Sequence, residues 1–361
     1  MPLFDLTPKS SRRTLFARDH EYEDLQRLVL AGRWSVILGP RMSGKTSLAK
    51  AAAFGSKRPT VYVNLWGARG TAGLLSAFVQ GFNSSRTLLR TLTRGLRRVE
   101  GVSIAGTGLT IAPTNRPLST VHDLVNVIGN EGGRHVIILD EVQEVAPVSG
   151  PLLKLLGNVF STYPNVVFIF TGSEFGLIRT LLEPDSSSPL YGRSPASMRL
   201  GPFVPETSVE FLLAGLREYG LSADRTSLAD VVNRSLDGIP GWLALYGNHL
   251  AIRRMGSKAA EQATVAEGIK VVRSEIIHYL RGRDPELHWV ALRATTNPTS
   301  WSEIREAIER RRGSAVNDQT IQRVLGELTS SGLITNSEKR YSISDPMVRR
   351  FVSSSPRPPS R

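Results

Sequence analysis

The stretch that most constrains this chain is Val36-Ile37-Leu38-Gly39-Pro40-Arg41-Met42-Ser43-Gly44-Lys45-Thr46-Ser47. An apolar run, a glycine-bounded loop and a helix-forming run, Leu48-Ala49-Lys50-Ala51-Ala52-Ala53, follow one another directly. Gly39, Gly44, Lys45 and Thr46 fill the pattern G-x-x-x-x-G-K-[ST]. Glycines let the backbone curl so that N–H groups point inward at phosphate oxygens. The helix that follows adds its positive end. Residues Gly39 to Ser47, with Pro40, Arg41, Met42 and Ser43 in the bend, are therefore expected to cradle the phosphates of a nucleoside triphosphate. Lys45 is expected to neutralise the β- and γ-phosphates, and the Thr46 hydroxyl to hold Mg²⁺.

A second stretch supplies acids. In His135-Val136-Ile137-Ile138-Leu139-Asp140-Glu141, four consecutive apolar residues predict a strand buried on both faces, as in a parallel sheet. Its C-terminal end, where ligands bind in open α/β sheets, carries two carboxylates. Asp140 is expected in the metal shell and Glu141 as the general base that polarises the attacking water. The plain alternative is a strand ending in solvated acids. A further buried strand, Val166-Val167-Phe168-Ile169-Phe170, ends in Thr171-Gly172-Ser173. That end sets a small polar group beside the acids, with Ser173 the candidate.

Strands alternating with helices as far as residue 204 predict a mostly parallel α/β sheet. Strands are expected near Trp34–Leu38 and Val61–Leu65. Residues 72–98 read as helical, 102–111 as a small hairpin, and 120–128 as an amphipathic helix. From Pro205 only helical patterns follow, broken sharply at Asp237-Gly238-Ile239-Pro240-Gly241-Trp242-Leu243. After Asp284-Pro285 come three short helices and two strand-like segments around Asn336-Ser337-Glu338-Lys339-Arg340. This is a winged helix-turn-helix pattern. The expected division is an arm over 1–14, a P-loop ATPase domain over 15–204, a helical lid over 205–283, a winged helix over 284–352 and a disordered tail over 353–361. The fold class is thus α/β, AAA+-like, with an all-helical lid and a winged helix appended.

Charge bears on partners. The 361 residues carry a formal net charge of +13, which favours an anionic partner such as nucleic acid. Between Gly81 and Arg116 there are six arginines (86, 90, 94, 97, 98 and 116) against the single acid Glu100. Several recur at three- and four-residue spacing and would share a helix face. That face contacts phosphates or is merely solvated. In the third C-terminal helix, Gln319, Gln322 and Arg323 are exposed candidates for a DNA major groove, with Lys339 and Arg340 in the wing. Residues 284–361 hold twelve basic and nine acidic side chains, so a protein-binding role for the winged helix stays open. The absence of cysteine excludes disulfides, thiolate metal sites and cysteine nucleophiles. The six histidines show no metal-ligand spacing. No apolar run approaches the ~18 residues that span a bilayer. Met1-Pro2-Leu3-Phe4-Asp5 does not read as a secretory signal. A cytoplasmic protein is expected.

The arrangement resembles the archaeal-type ATPases of the AAA+/STAND class, relatives of the archaeal origin-recognition initiator ATPases. The resemblance rests on Leu15-Phe16-Ala17-Arg18-Asp19-His20-Glu21, the phosphate loop, Asp140-Glu141, Thr171-Gly172-Ser173, Pro189-Leu190-Tyr191-Gly192-Arg193 and Gly238-Ile239-Pro240-Gly241-Trp242. Ala17 stands where the family has glycine, and Asp19 where it often has glutamate. The resemblance implies ATP and Mg²⁺ as cofactors and an adenine contact by Pro240. It also implies a γ-phosphate-sensing or arginine-finger role for Arg193, in its own site or a neighbour's. A missing arginine can slow phosphoryl transfer by ~10³–10⁵, so slow hydrolysis without a partner is expected. Two readings follow: an ATP-driven switch in DNA metabolism acting on double-stranded DNA, or a regulatory NTPase whose helical and winged domains bind a protein partner or a second copy.

Overall fold

The computed structural model describes residues 2–359 apart from 106–107, 113, 173–180, 182–183, 185 and 187. Ser173 therefore lies outside the described residues. By their contacts the residues form two units. One comprises residues 8–38 and 45–200; the other comprises 1–7, 39–44 and 201–361.

The first unit is built on a five-stranded sheet. β1 (Ser35–Leu38), β2 (Thr60–Asn64), β5 (His135–Asp140), β6 (Val166–Gly172) and β7 (Ala196–Arg199) lie in the order β2-β5-β6-β1-β7, every pair parallel. β1, β5 and β6 are buried throughout, as their unbroken apolar runs require. The period-2 alternation divides those runs between two cores. Val36, Leu38, Val61, Val63, Ile137, Leu139, Phe168 and Phe170 face α3 (Gly70–Asn83), α5 (Pro117–Gly129) and α6 (Ser149–Thr162). Ile37, Val136, Ile138 and Ile169 face α1 (Asp19–Leu30) and α2 (Lys45–Gly55). Residues 72–98, read as one helical stretch, form most of α3 and then α4 (Arg86–Leu96). Leu88, Leu92 and Leu96 of α4 are buried while Arg90 and Arg94 are exposed. The expected hairpin is β3 (Val102–Ala105) paired antiparallel with β4 (Gly108–Ile111).

In the second unit α7 (Pro205–Glu218), α8 (Arg225–Val231), α9 (Pro240–Ala251) and α10 (Ser257–Leu280) form the helical part. α11 (Pro285–Ala294), α12 (Trp301–Arg312) and α13 (Asp318–Ser330) follow. The wing has a strand more than the sequence suggested: β8 (Thr299–Ser300), β9 (Thr335–Ser337) and β10 (Arg340–Ser342) pair in the order β8-β10-β9. Glu338 and Lys339 turn the hairpin at φ of 52° and 64°, the conformation of a tight two-residue turn.

Both chain ends differ from the sequence reading. The first residues do not form a free arm. Phe4 is fully buried, edge-on to Phe211 with ring centroids 5.8 Å apart, and its carbonyl accepts a 3.1 Å hydrogen bond from Asn248. A Cβ on Gly215 would meet the Phe4 ring at 2.3 Å, and one on Gly247 at 2.2 Å, so glycines on two helices make its socket. Near the other end, Pro346–Ser354 forms a further helix, α14, capped by Asp345. Its Met347, Val348, Phe351 and Val352 are buried. The segment is short and runs on into serines and prolines, which hides its apolar face in the sequence.

Phe4→Ala removes a fully buried aromatic whose socket cannot collapse. It should cost about 3–5 kcal/mol in the stability of the unit that holds it, read as a lowered denaturation midpoint. A change below about 1 kcal/mol would mean that the N-terminal residues are held elsewhere.

Candidate active site

The chemistry collects at the C-terminal ends of β1 and β5. β1 ends at Leu38, and the chain turns through Gly39–Gly44 into α2, which starts at Lys45. Gly44 takes φ of 95°, a conformation that L side chains avoid; a Cβ there would find open space, so the need for glycine is conformational. Met42 accepts a left-handed φ of 60° without being glycine, a strain that persists only where surroundings impose it. Lys45 and Ser43 are buried, and the Ser43 Oγ is without a hydrogen-bond partner.

Within the first unit, Asp140 is buried at the end of β5. A carboxylate there is tolerable only if donors satisfy it. Three hydroxyls do so. The Thr46 Oγ1 lies 3.0 Å from both carboxylate oxygens. The Tyr62 hydroxyl donates to Oδ2 at 2.7 Å, and the Thr171 hydroxyl donates to Oδ1. The donors come from α2, β2 and β6, so the acid at the end of β5 is held from the helix and from both strands that flank it. Lys50, about a turn and a half beyond Lys45, sets its Nζ 3.6 Å from the centre of the Tyr62 ring. Burial holds the Lys50 ammonium below the usual lysine range, against the pull of Asp140. Burial first, and then the Asp140 charge, push the Tyr62 phenol upward, so it remains an O–H donor.

Glu141, the next residue, takes φ of 58°, which turns its side chain off the strand's course. Its backbone N–H donates to the Thr171 Oγ1 at 3.2 Å, and its carboxylate accepts from the Gln143 amide. Thr171 thus touches both acids. Among the described residues of this strand end, the small polar group beside the acids is Thr171. The donor set of Thr46 and Asp140, oxygens 3.0 Å apart, suits a hard cation such as Mg²⁺. Among the described residues no three His, Cys, Asp or Glu converge as a metal cage. A metal here would therefore share its ligands with the substrate's phosphates, as magnesium does in such sites.

The remaining candidates lie apart. Arg193 lies over the Phe160 ring and donates to the Ser161 hydroxyl at 2.8 Å. Phe160 packs edge-on against Trp34, which precedes the first residue of β1. Arg193 is therefore at the opposite end of that strand from the phosphate loop, about 13 Å along a four-residue strand. In the second unit, Pro240 opens α9 at the first helical position. The next residue, Gly241, donates its N–H to the Met42 carbonyl at 2.9 Å. A Cβ on Gly241 would lie 2.6 Å from that of Met42, so only glycine permits this approach. Arg41 forms an ion pair with Glu275 of α10. On α13, Gln319 and Gln322 are exposed; Arg323, also exposed, is paired with Glu327 at 2.8 Å. Arg340 donates to the Pro298 carbonyl, and Lys339 is exposed in the turn.

Sequence reasoning missed Tyr62, Lys50 and Gln143. Tyr62 lay within an expected strand and Lys50 within a helix-forming run, with no role assigned to either. Their signal was spatial: Tyr62 pairs with Ile138, which puts it on the same sheet face as Asp140.

Residues 15–245 match a family described as an ATPase domain predominantly from Archaea. Residues 290–344 match the C-terminal winged helix-turn-helix domain of MCM proteins. No curated protein matches the sequence. Among solved structures, the Walker-type ATPase Paby2304 of Pyrococcus abyssi is 28% identical, with a TM-score of 0.76 over 97% of this chain and 99% of that one. The Aeropyrum pernix ORC2 protein, solved as ADPNP–ADP complexes, is 16% identical with a TM-score of 0.62, covering 98% and 96%. The Aeropyrum pernix ORC1 protein, solved with DNA, is 16% identical with a TM-score of 0.52, covering 98% and 97%. At that identity the two ORC likenesses speak of the fold.

Two substitutions separate binding from turnover. Lys45→Ala removes a charge-assisted hydrogen bond worth about 1.5–3 kcal/mol, so nucleotide affinity by calorimetry should fall roughly ten- to hundredfold. Glu141→Gln should bind nucleotide normally and lose turnover by ~10² or more. Normal affinity in the first, or normal phosphate release in the second, would remove the assigned role.

Proposed function

The chain belongs to the ATPase family found predominantly in Archaea, and from that premise we propose an ATP-driven switch acting on double-stranded DNA. The γ-phosphate is attacked by a water whose proton passes to the Glu141 carboxylate, as the bond from the γ-phosphorus to the β–γ bridging oxygen breaks. Gln143 and the left-handed backbone aim that carboxylate. Lys45 offsets phosphate charge. Thr46 and Asp140 would hold Mg²⁺, which supplies further charge neutralisation at the phosphates. Pro240 meets the adenine, as the family resemblance implies. Arg193 serves the site of another copy, a reading supported by its exposure and by its place at the far end of β1.

The observation that carries the switch is the bonding of the phosphate loop to the helical part. Met42 and Arg41, in the bend of the loop, are tied to Gly241 and Glu275. The residue after Gly241, Trp242, donates its indole N–H to Asp345 at 3.2 Å, the cap of α14. A bound γ-phosphate that moves Met42 or Arg41 therefore acts on the same unit that contains the winged helix. The DNA reading is supported by the winged-helix pattern, by Gln319 and Gln322 on α13, and by the DNA-bound ORC1 protein that shares the fold. The exposed arginines 90, 94 and 97 add phosphate contacts. Pairing of Arg323 with Glu327 favours the second reading, a protein partner for the winged helix.

Because the chain has no cysteine, two introduced cysteines, one on α5 and one on α12, can carry distance labels. ATP should shift the distance distribution between them; an unchanged distribution overturns the switch. A DNA titration over salt should give a steep slope that differs with and without ATP. Replacing Arg90, Arg94 and Arg97 should flatten that slope by roughly one unit for each phosphate no longer neutralised. No salt-dependent DNA binding would leave the protein-partner reading.

A further inference from the structure

Two lysines of the phosphate-loop helix are withdrawn from solvent, Lys45 buried and Lys50 half-buried, and nucleotide binding accounts only for Lys45. Lys50 lies about a turn and a half further on and cannot share that role. Its Nζ sits 3.6 Å from the centre of the Tyr62 ring, where a cation is attracted by the ring face. Tyr62 in turn reaches along the sheet. It pairs in register with Ile138 and extends its hydroxyl to Asp140, two residues further along the same strand, at 2.7 Å. Lys50, Tyr62 and Asp140 thus form a continuous stack within one unit, between α2 and the sheet.

The stack has a directional consequence. Asp140 has two oxygens. Oδ1 is held by Thr171 and approached by Thr46; Oδ2 is held by Tyr62 and approached by Thr46. Thr46 belongs to the metal-binding pair, so its bond to Asp140 changes when a cation enters. Thr171 also serves Glu141. Tyr62 is the donor committed to Asp140 alone among these three. Without it Oδ2 loses its committed donor, and the carboxylate's last torsion, broad for Asp, is held from the Oδ1 side alone once a cation engages Thr46.

We propose that Tyr62 is a positioning residue for the metal-side carboxylate. Its hydroxyl fixes the plane of Asp140, and Lys50 fixes the ring that carries the hydroxyl. The pair thereby sets the affinity of the site for a divalent cation without touching nucleotide or cation. Partners that orient a ligating carboxylate typically contribute roughly ten- to hundredfold in metal affinity. This inference rests on the assignment of Thr46 and Asp140 to Mg²⁺.

Tyr62→Phe tests it, because the ring, its packing and the Lys50 seat are kept and only the hydroxyl is removed. Mn²⁺, a paramagnetic stand-in for Mg²⁺, is titrated into protein saturated with a non-hydrolysable ATP analogue, and bound metal is read by electron paramagnetic resonance. The half-saturating Mn²⁺ concentration should rise about tenfold, while analogue affinity in EDTA stays near the parent's and circular dichroism shows the variant folded. An unchanged Mn²⁺ half-saturation overturns the proposal. So does a parallel fall in metal-free analogue affinity, which would make Tyr62 a general packing residue. If the parent itself binds no Mn²⁺ with the analogue, the assignment of the metal site fails first, and the inference falls with it.

Discussion

The buried carboxylate of Asp140 constrains the first unit more than any other group. A charge at the end of a fully buried strand must be met by donors from whatever packs against it, or the fold loses several kcal/mol. Here each neighbour contributes one hydroxyl: Thr46 from α2, Tyr62 from β2 and Thr171 from β6. Satisfying Asp140 therefore fixes three spacings at once. The start of α2 is set against the end of β5, and β2 and β6 are held in register on either side. The phosphate loop inherits its exit into α2 from that arrangement. The arrangement of these strand ends answers a single electrostatic requirement.

In the second unit the corresponding role falls to α14. Trp242 is fully buried at the start of α9 and donates to Asp345, which also caps α14 through the Met347 and Val348 N–H groups. Burial pushes the Asp345 carboxyl upward, and these donors oppose the shift. Met347 packs against Gly268 of α10, which has no room for a side chain. Arg349 pairs with Asp237, and Arg350 donates to the Arg234 carbonyl and the Ser235 hydroxyl. The nine residues of α14 thus knit the helical part to the winged helix. The appended domain is not a bead on a linker: its last helix shares a core with the element that begins Gly238-Ile239-Pro240-Gly241-Trp242.

Much of this was legible in the residues. Apart from β7, whose start falls in the stretch 183–197 rich in Ser, Pro and Gly, the succession of strands and helices around the sheet, the phosphate loop, the acid pair and the winged helix each announce themselves by a local period or a local motif. What was not legible depends on distance in sequence. Tyr62 and Asp140 are 78 residues apart, and no local pattern marks a strand aromatic as the partner of an acid on the next strand. Phe4 lies in a polar, proline-containing segment, and its socket is made by Gly215 and Gly247, far along the chain. At nine residues α14 is too short for a helical period to repeat clearly. Ala17 is instructive in the other direction. It stands where the resembling family has glycine, and the backbone there takes φ of 48°. The local conformation asks for glycine, at a cost to alanine of roughly 1–2 kcal/mol, and the surrounding structure imposes it nonetheless.

Coupling between the phosphate loop and the C-terminal elements has a thermodynamic consequence that needs no assumption about the direction of motion. Arg41 and Met42 are joined to Glu275 and Gly241 in this structure, while Lys45 and Thr46 belong by their contacts to the sheet unit. Any difference in free energy between the loop's bound and unbound geometries is then shared with α9 and α10. Linkage makes such coupling reciprocal. A macromolecule held by α13 that favours one arrangement of those helices changes ATP affinity by the same factor as ATP changes the affinity for it. A coupling of about 1–3 kcal/mol, roughly five- to 150-fold, is typical. In the proposed switch that coupling would run through the bonds at the bend of the loop.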